Sequence, residues 1–405
     1  MVISKAAQKA VQLLNDAGYE AYLVGGCVRD DMLGILPHDY DICTSALPRE
    51  MQQVFAGHRT IETGLKHGTL TVLMDGEPLE ITTYRLDGEY LDNRHPREVT
   101  FTRSLENDLS RRDFTVNAMA FHPEKGLVDL FGGREDCGKK IIRCVGDAAT
   151  RFTEDALRIL RAFRFAARFR FAMEEQTAGA IFDKQQLLKN ISAERIASEL
   201  NGLLQAQGAP EILRRFREVF FTAVPGLRMP EETWCRALTV LSCCEKALPV
   251  LWSALLHPLG AEQAKAVLQF LKMPNALQED VHALLSHPEL PLSEEKMQYA
   301  LMVMGKERIF LLLSLRQALD SAECSGNERE MTGRYAVLRQ KTEVLLSAGA
   351  CYTLSGLAVK GNDLAALGIQ GKAIGETLHS LLEKVVLGEA ENDRNRLLLM
   401  AQNMK

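Results

Sequence analysis

The chain has 405 residues, enough for two to four domains. Its 46% hydrophobic and 25% charged content is that of a globular protein, and a net charge of −5 argues against an indiscriminate nucleic-acid binder. No apolar run reaches the roughly eighteen residues of a membrane span. The N-terminus lacks a signal peptide's cleavage pattern and reads as an amphipathic helix leading into a strand, so a cytoplasmic location is expected. Nine cysteines without a CxxC spacing are expected to be reduced thiols used in packing.

Ala21-Tyr22-Leu23-Val24 reads as a short buried strand. Gly25-Gly26 then permits a sharp turn and close approach to a ligand, and Val28 to Leu33 predicts a helix whose free N–H groups suit a phosphate. Asp39-Tyr40-Asp41-Ile42-Cys43 is expected to be a strand. Residues two apart share a strand face, so Asp39 and Asp41 would stand side by side and call for a cation, Mg²⁺ above all. Residues 67–74 predict another strand, Asp75-Gly76 a hairpin turn, and 79–85 the return strand, with Glu80, Thr82 and Tyr84 on one face. Glu80 is a third carboxylate if that strand lies beside Asp41, and otherwise an edge glutamate in solvent. Residues 86–110 are polar and carry Pro96, which reads as a long loop.

Beyond Ser110-Arg111-Arg112-Asp113-Phe114-Thr115-Val116-Asn117-Ala118 and the turn at Gly132-Gly133, the grammar changes. Strand patterns vanish near residue 140 and helical periodicity continues to the end. Residues 153–168 predict one helix capped by Thr153. Asp155 and Arg158 would share its face, with Arg161 and Arg164 continuing the row. Alone, such a row reads as a surface salt bridge with an exposed basic stripe. Ser192 is expected to cap a further helix, and residues 206–320 read as helices broken near Pro225, Pro249, Pro274 and Pro288.

GGCVRD followed by DYDICTSALP resembles the first motif of the class II tRNA nucleotidyltransferases, the CCA-adding enzymes and their bacterial poly(A) polymerase relatives, in the DNA polymerase β superfamily. RRDFTVNA is similar to that family's second signature, and EDALRILRAFRF to its EDxxR motif. Asp92, Arg94, His95, Pro96 and Arg97 are similar to its flexible loop, with His95 where a second arginine is more usual. The resemblance implies an α+β fold. A polymerase-β-like head with a mixed, partly antiparallel sheet (1–139) would precede an all-helical neck (140–205), body (206–320) and tRNA-binding tail (321–405).

It further implies metal binding by Asp39 and Asp41, which with Glu80 form the catalytic set, and nucleotide binding by Gly26, Arg29, Arg112, Asn117, Asp155, Arg158, Arg161 and Arg164. Arg112 is the expected nucleotide contact within its motif, with Asp113 orienting an arginine and Asn117 meeting the ribose. Glu194 is expected to brace the neck arginines. The implied activity is template-independent addition of CCA to the 3′ end of tRNA from CTP and ATP, with Mg²⁺ as cofactor. CC-adding, A-adding or poly(A)-polymerising activity is the alternative, and a catalytically inactive RNA-binding relative a further one.

Overall fold

The computed structural model describes residues 3–87, 99–323 and 328–404. The chain divides into two compact units, Met1–Pro225 and Gly226–Lys405.

The first unit opens with α1 (Lys5–Asp16), capped by the Ser4 hydroxyl, which accepts the Ala7 N–H at 3.1 Å. Its strands are β1 (Ala21–Val24), β2 (Asp41–Thr44), β3 (Arg59–Ile61), β4 (Thr69–Met74), β5 (Glu77–Thr83), β6 (Arg85–Asp87), β7 (Val99–Phe101), β8 (Met119–His122) and β9 (Gly126–Asp129). Seven of them form a mixed sheet in the order β3-β4-β5-β2-β1-β8-β9. All four residues of β1 are buried, which explains an apolar run with no alternation. The β4–β5 turn falls at Asp75 and Gly76, with φ of 52° and 87°, the two positive values a two-residue hairpin requires.

β2 and β5 pair in parallel, with Asp41 opposite Glu80, Ile42 opposite Ile81 and Cys43 opposite Thr82. Leu79, Ile81 and Thr83 are buried while Asp41 and Glu80 are exposed, so pleat and register together present both carboxylates at the sheet surface. Glu80 therefore lies beside the aspartate strand.

Two expectations change here. β2 begins at Asp41, so Asp39 sits in the segment entering the strand, not within it. Pro37 shortly before rules out an earlier ladder partner at that point. The stretch 86–110 is not one loop, because β6 and β7 form an antiparallel hairpin and α4 (Leu105–Ser110) follows under a Ser104 cap. Asp92, Arg94, His95, Pro96 and Arg97 lie outside the described residues.

Helices of the first unit run α2 (Gly26–Met32), α3 (Pro48–Val54), α4, α5 (Gly133–Lys139), α6 (Ala148–Glu154), α7 (Leu157–Phe169), α8 (Glu175–Lys184), α9 (Ala193–Leu204), α10 (Ala209–Arg215) and α11 (Arg217–Ala223). The single helix expected over 153–168 is two. α6 is capped by Asp147 and ends at Asp155, whose φ of −139° and ψ of 103° are extended. α7 then starts at Leu157, and the Asp155 carboxylate accepts the Leu157 N–H at 3.1 Å. Asp155 thus occupies a joint between helices, and the shared helix face with Arg158 does not exist.

The second unit is helical among its described residues: α12 (Glu231–Ser242), α13 (Leu248–Leu256), α14 (Gly260–Phe270), α15 (Asn275–Ser286), α16 (Met297–Glu323), α17 (Glu328–Ser347), α18 (Gly361–Ala366), α19 (Lys372–Val386) and α20 (Arg394–Gln402). Pro249 sits in the first turn of α13 and Pro274 caps α15, positions where a missing N–H costs little. Gly305, at φ 73°, breaks α16. Trp234 and Trp252 are fully buried, and Leu364, Leu381 and Leu397 bring α18, α19 and α20 into one cluster. No described helix is long and apolar enough to cross a membrane.

The eight described cysteines are free thiols. Burial pushes Cys27 and Cys137 up to about 11, so they stay protonated and pack as small apolar groups.

Candidate active site

The site begins at the glycine turn. Gly25 has φ 74° and ψ −121°, and its N–H donates to the Met119 carbonyl, which fixes the turn to β8. A Cβ on Gly25 would stand 3.2 Å from Arg112 Nη1, and one on Gly26 3.6 Å from Arg29 Nη2. The two glycines therefore let the backbone pass close to two guanidinium groups, a combination suited to phosphate oxygens.

Arg29 is 4% exposed. Its Nε and Nη2 donate to Asp30 Oδ1 at 2.8 and 2.6 Å, and Nη1 donates to Asn117 Oδ1. The guanidinium also lies 4.6 Å from the Phe169 ring centroid and 5.3 Å from that of Phe165, so α7 clamps α2 through it. Asn117 is engaged at both ends, since its Nδ2 donates to Asp113 Oδ1 at 3.1 Å.

Arg112 follows α4. Its Nη2 donates to Asp108 Oδ2 at 3.1 Å, while its buried Nε has no partner. Arg111 forks onto the other oxygen of Asp108 at 3.0 and 2.7 Å. Asp108 is fully buried and also accepts the Arg85 N–H at 3.3 Å. Burial pushes its carboxyl up, but Arg112 and Arg111 outweigh burial and hold it below the ordinary aspartate value. A carboxyl depressed in the folded state stabilises fully above the ordinary aspartate range, and that contribution is lost as pH falls toward the folded value. Asp108→Asn is expected to cost roughly 3 kcal/mol near neutral pH and to flatten the acid side of the stability profile. Urea unfolding at several pH values checks it, and an unchanged profile would refute the coupling.

The three carboxylates gather at the start of β2. Asp39 and Asp41 are exposed, and Glu80 is the register partner of Asp41. Surrounding protein raises the Asp41 carboxyl first and Glu80 second, with Asp39 adding to the rise and Arg112 opposing it. Arg112 is thus near enough to feel Asp41 while also lining a cavity with Asp155, Arg158 and Arg161. Among the described residues no three His, Cys, Asp or Glu side chains stand close enough together to hold a metal ion by themselves. An open set of oxygen ligands is what Mg²⁺ uses when substrate phosphates and water complete its shell.

A cavity of about 260 Å³ is lined by Arg111, Arg112, Asp113, Asp155, Leu157, Arg158, Arg161 and Arg195. Arg112 meets there Asp155, Arg158 and Arg161, which follow it by more than forty residues of sequence. Asp155 is held by Arg195, whose Nη2 donates to Oδ2 at 2.9 Å. Arg158 is held by Glu154 at 2.6 Å and by the carbonyls of Arg151 and Arg111 at 3.3 and 3.0 Å. Asp113 accepts from Arg161 Nε at 2.9 Å, as expected of a residue that orients an arginine.

Arg164 lies off this lining, paired with Glu199 at 2.6 Å. Buried Glu199 pairs with Arg164 at 2.6 Å and stands 3.9 Å from Arg161, whose nearer carboxylate is Asp113; Glu194 is exposed. Sequence reasoning missed Arg111, Asp108, Arg195 and Glu199. Arg195 and Glu199 were within reach, since both lie on the helix opened by Ser192, four residues apart on one face.

Comparison with known proteins agrees with this architecture. Residues 21–143 match the family described as Poly A polymerase head domain, 170–223 that of the probable RNA and SrmB-binding site of polymerase A, and 249–401 that of putative tRNA nucleotidyltransferase domain 2. The chain is 37% identical to the CCA-adding enzyme of Geobacillus thermodenitrificans over 96% of this chain and 94% of that one. It is 37% identical to that of Geobacillus stearothermophilus over 97% and 96%. The crystal structure of the Bacillus stearothermophilus CCA-adding enzyme in complex with CTP superposes with a TM-score of 0.85 at 34% identity, covering 99% of this chain and 97% of that one. By length of match, identity and fold alike, the chain belongs to the CCA-adding enzymes, nucleotidyltransferases of the DNA polymerase β superfamily.

Proposed function

We propose that this protein adds C, C and A in turn to the 3′ end of tRNA from CTP and ATP, without a nucleic-acid template. The observation that carries the reading is one cavity shared by an acceptor (Asp155), a donor (Arg158) and Arg112, whose charge also reaches Asp41. A carboxylate only accepts hydrogen bonds and a guanidinium only donates. Cytosine and adenine each present an exocyclic amino group beside a ring acceptor. Uracil and guanine place a carbonyl where that amino group stands, which would leave buried acceptors facing each other.

In this reading Gly26, Arg29 and Arg112 hold the triphosphate, Arg161 backs the base-reading pair, and Asn117 holds Arg29 and Asp113 in place while bordering the ribose. Asp39, Asp41 and Glu80 would hold Mg²⁺, their oxygen-only donor set fitting a hard cation. When bound, the ion neutralises phosphate charge and polarises the α-phosphate. The RNA 3′-hydroxyl attacks that phosphorus, and the bond to pyrophosphate breaks. The residues place the reactants and leave no covalent intermediate on the protein. Head and neck residues share the first compact unit in this assignment, with the body and tail in the second, and the protein works in the cytoplasm.

Two of the matched families are named after poly(A) polymerase, so a poly(A)-forming reading also has support. Incubation with CTP, ATP and a tRNA lacking its terminus separates them. The expected product is longer by C-C-A and stops there; a homopolymeric A tail, or arrest after C-C, overturns the proposal. Deletion of residues 90–97 is expected to leave C-C addition and lose the terminal A, read on the same gel.

A further inference from the structure

Away from the nucleotide cavity, the first unit carries a flat aromatic platform next to unpaired positive charge. Phe182, in the last turn of α8, is 44% exposed. Its ring stacks on that of Phe216 with centroids 5.4 Å apart and an angle of 25° between the planes. Phe216 is fully buried and lies 4.6 Å from Phe163 in α7. Phe182 is thus the outer member of a three-ring stack rooted in the core, held by packing and open to solvent. Phe163 follows Arg161 by two residues, roughly 200° around the helix, so the stack leads to the side of α7 opposite the cavity.

Arg215 lies with its guanidinium carbon 5.1 Å from the Phe216 centroid, and Arg214 precedes it. Both are exposed, and neither has a carboxylate partner among the described residues. The arginines of α7 differ, since Arg158, Arg161, Arg164 and Arg168 each pair with a carboxylate. Asp183 is the acidic neighbour of Phe182 on α8, and Glu218 is taken by Arg217 at 3.2 Å.

We propose that Phe182 and Arg215 form a contact for the RNA substrate separate from the nucleotide cavity, with a nucleobase stacked on the Phe182 ring and a phosphate on Arg215. The inference rests on the reading that this protein acts on tRNA. An exposed rigid ring beside a free guanidinium is the pairing that nucleic-acid surfaces use for unpaired nucleotides. The family matched by residues 170–223 is described as binding RNA and SrmB. RNA is favoured over a protein partner because the two arginines, with Glu211 one turn away on α10, make no ion pair among the described residues, and because an exposed aromatic ring can stack a planar base.

The test uses the full-length chain and a tRNA lacking its 3′ terminus. Phe182→Ala is expected to weaken tRNA binding about tenfold and to raise KM for tRNA to match, with KM for CTP unchanged. Phe182→Tyr, which keeps the ring, is expected to restore the wild-type value. Arg215→Gln, at an exposed position, is expected to reduce the slope of log Kd against log salt by about one. Thermal unfolding identifies any variant that fails to fold. Unchanged affinity in Phe182→Ala and an unchanged salt slope in Arg215→Gln overturn the proposal, as does loss of a protein partner while RNA affinity stays intact. Wild-type nucleotide addition in the same assay shows separately whether the underlying reading stands.

Discussion

Replacing Asp41 with asparagine is expected to lower kcat for both CTP and ATP addition on the order of 10³-fold, while tRNA binding survives. Asparagine keeps the volume and removes one negative charge from a group of three. That charge is an uncomfortable one without a cation, since burial first, and then Glu80 and Asp39, push the Asp41 carboxyl up against the opposing Arg112. The metal-free protein should therefore tolerate Asp41→Asn well, or gain slightly in Tm from the relieved repulsion. Loss of activity with an unharmed fold is the signature of a metal ligand. Normal turnover in this variant, or lost turnover that tracks a falling Tm, would sink the assignment. Glu80→Gln extends the test, with a smaller loss expected for a residue whose side chain reaches the group from the neighbouring strand.

The second large effect concerns base choice. Asp155→Ala removes the acceptor from the cavity, and preference for CTP over UTP and for ATP over GTP is expected to fall about tenfold to a hundredfold. The structure adds a sharper variant. Arg195 alone aims the Asp155 carboxylate from the side, through one hydrogen bond of 2.9 Å, while Leu157 N–H holds the other oxygen. Arg195→Ala leaves the acceptor in place but frees it to turn. Discrimination should then fall by less than in Asp155→Ala, and the double variant should look like Asp155→Ala, because Arg195 acts through that residue. Arg49→Ala, an exposed position on α3, serves as control. The measurement is kcat/KM for all four nucleotides on a primer awaiting its next residue. Full discrimination retained in Asp155→Ala means that the base is read elsewhere.

These expectations depend on features that sequence reasoning saw unevenly. The glycine turn, the hairpin at Asp75-Gly76 and the face shared by Glu80 and Thr82 were readable because backbone conformation and strand alternation leave local marks. The adjacency of β2 and β5 is non-local, so Glu80 stayed between two readings until the register paired it with Asp41. The break at Asp155 left no mark at all. Thr-Glu-Asp-Ala-Leu-Arg contains neither glycine nor proline, and local propensity favours an uninterrupted helix. Tertiary partners override it, with Arg195 pulling on the carboxylate and Arg158 drawn back to Glu154 and two carbonyls of preceding segments. Glu194 drew attention over Glu199 for a related reason: the motif was matched by its first residues, whereas the helix face that meets α7 is decided by packing.

The order of strands has a consequence for how the protein comes into being. β1 sits between β2 and β8, and β8 arrives almost a hundred residues after β1. The pairing of β2 with β5 likewise closes a long loop before it gains a single ladder bond. During synthesis the emerging chain therefore holds all three carboxylates well before the sheet that aligns them is closed, and the walls of the base-reading cavity wait for Arg195. The carboxylate strands are translated before the helices that supply Asp155, Arg158 and Arg195, so a chain cut short between them would hold the carboxylates without the cavity.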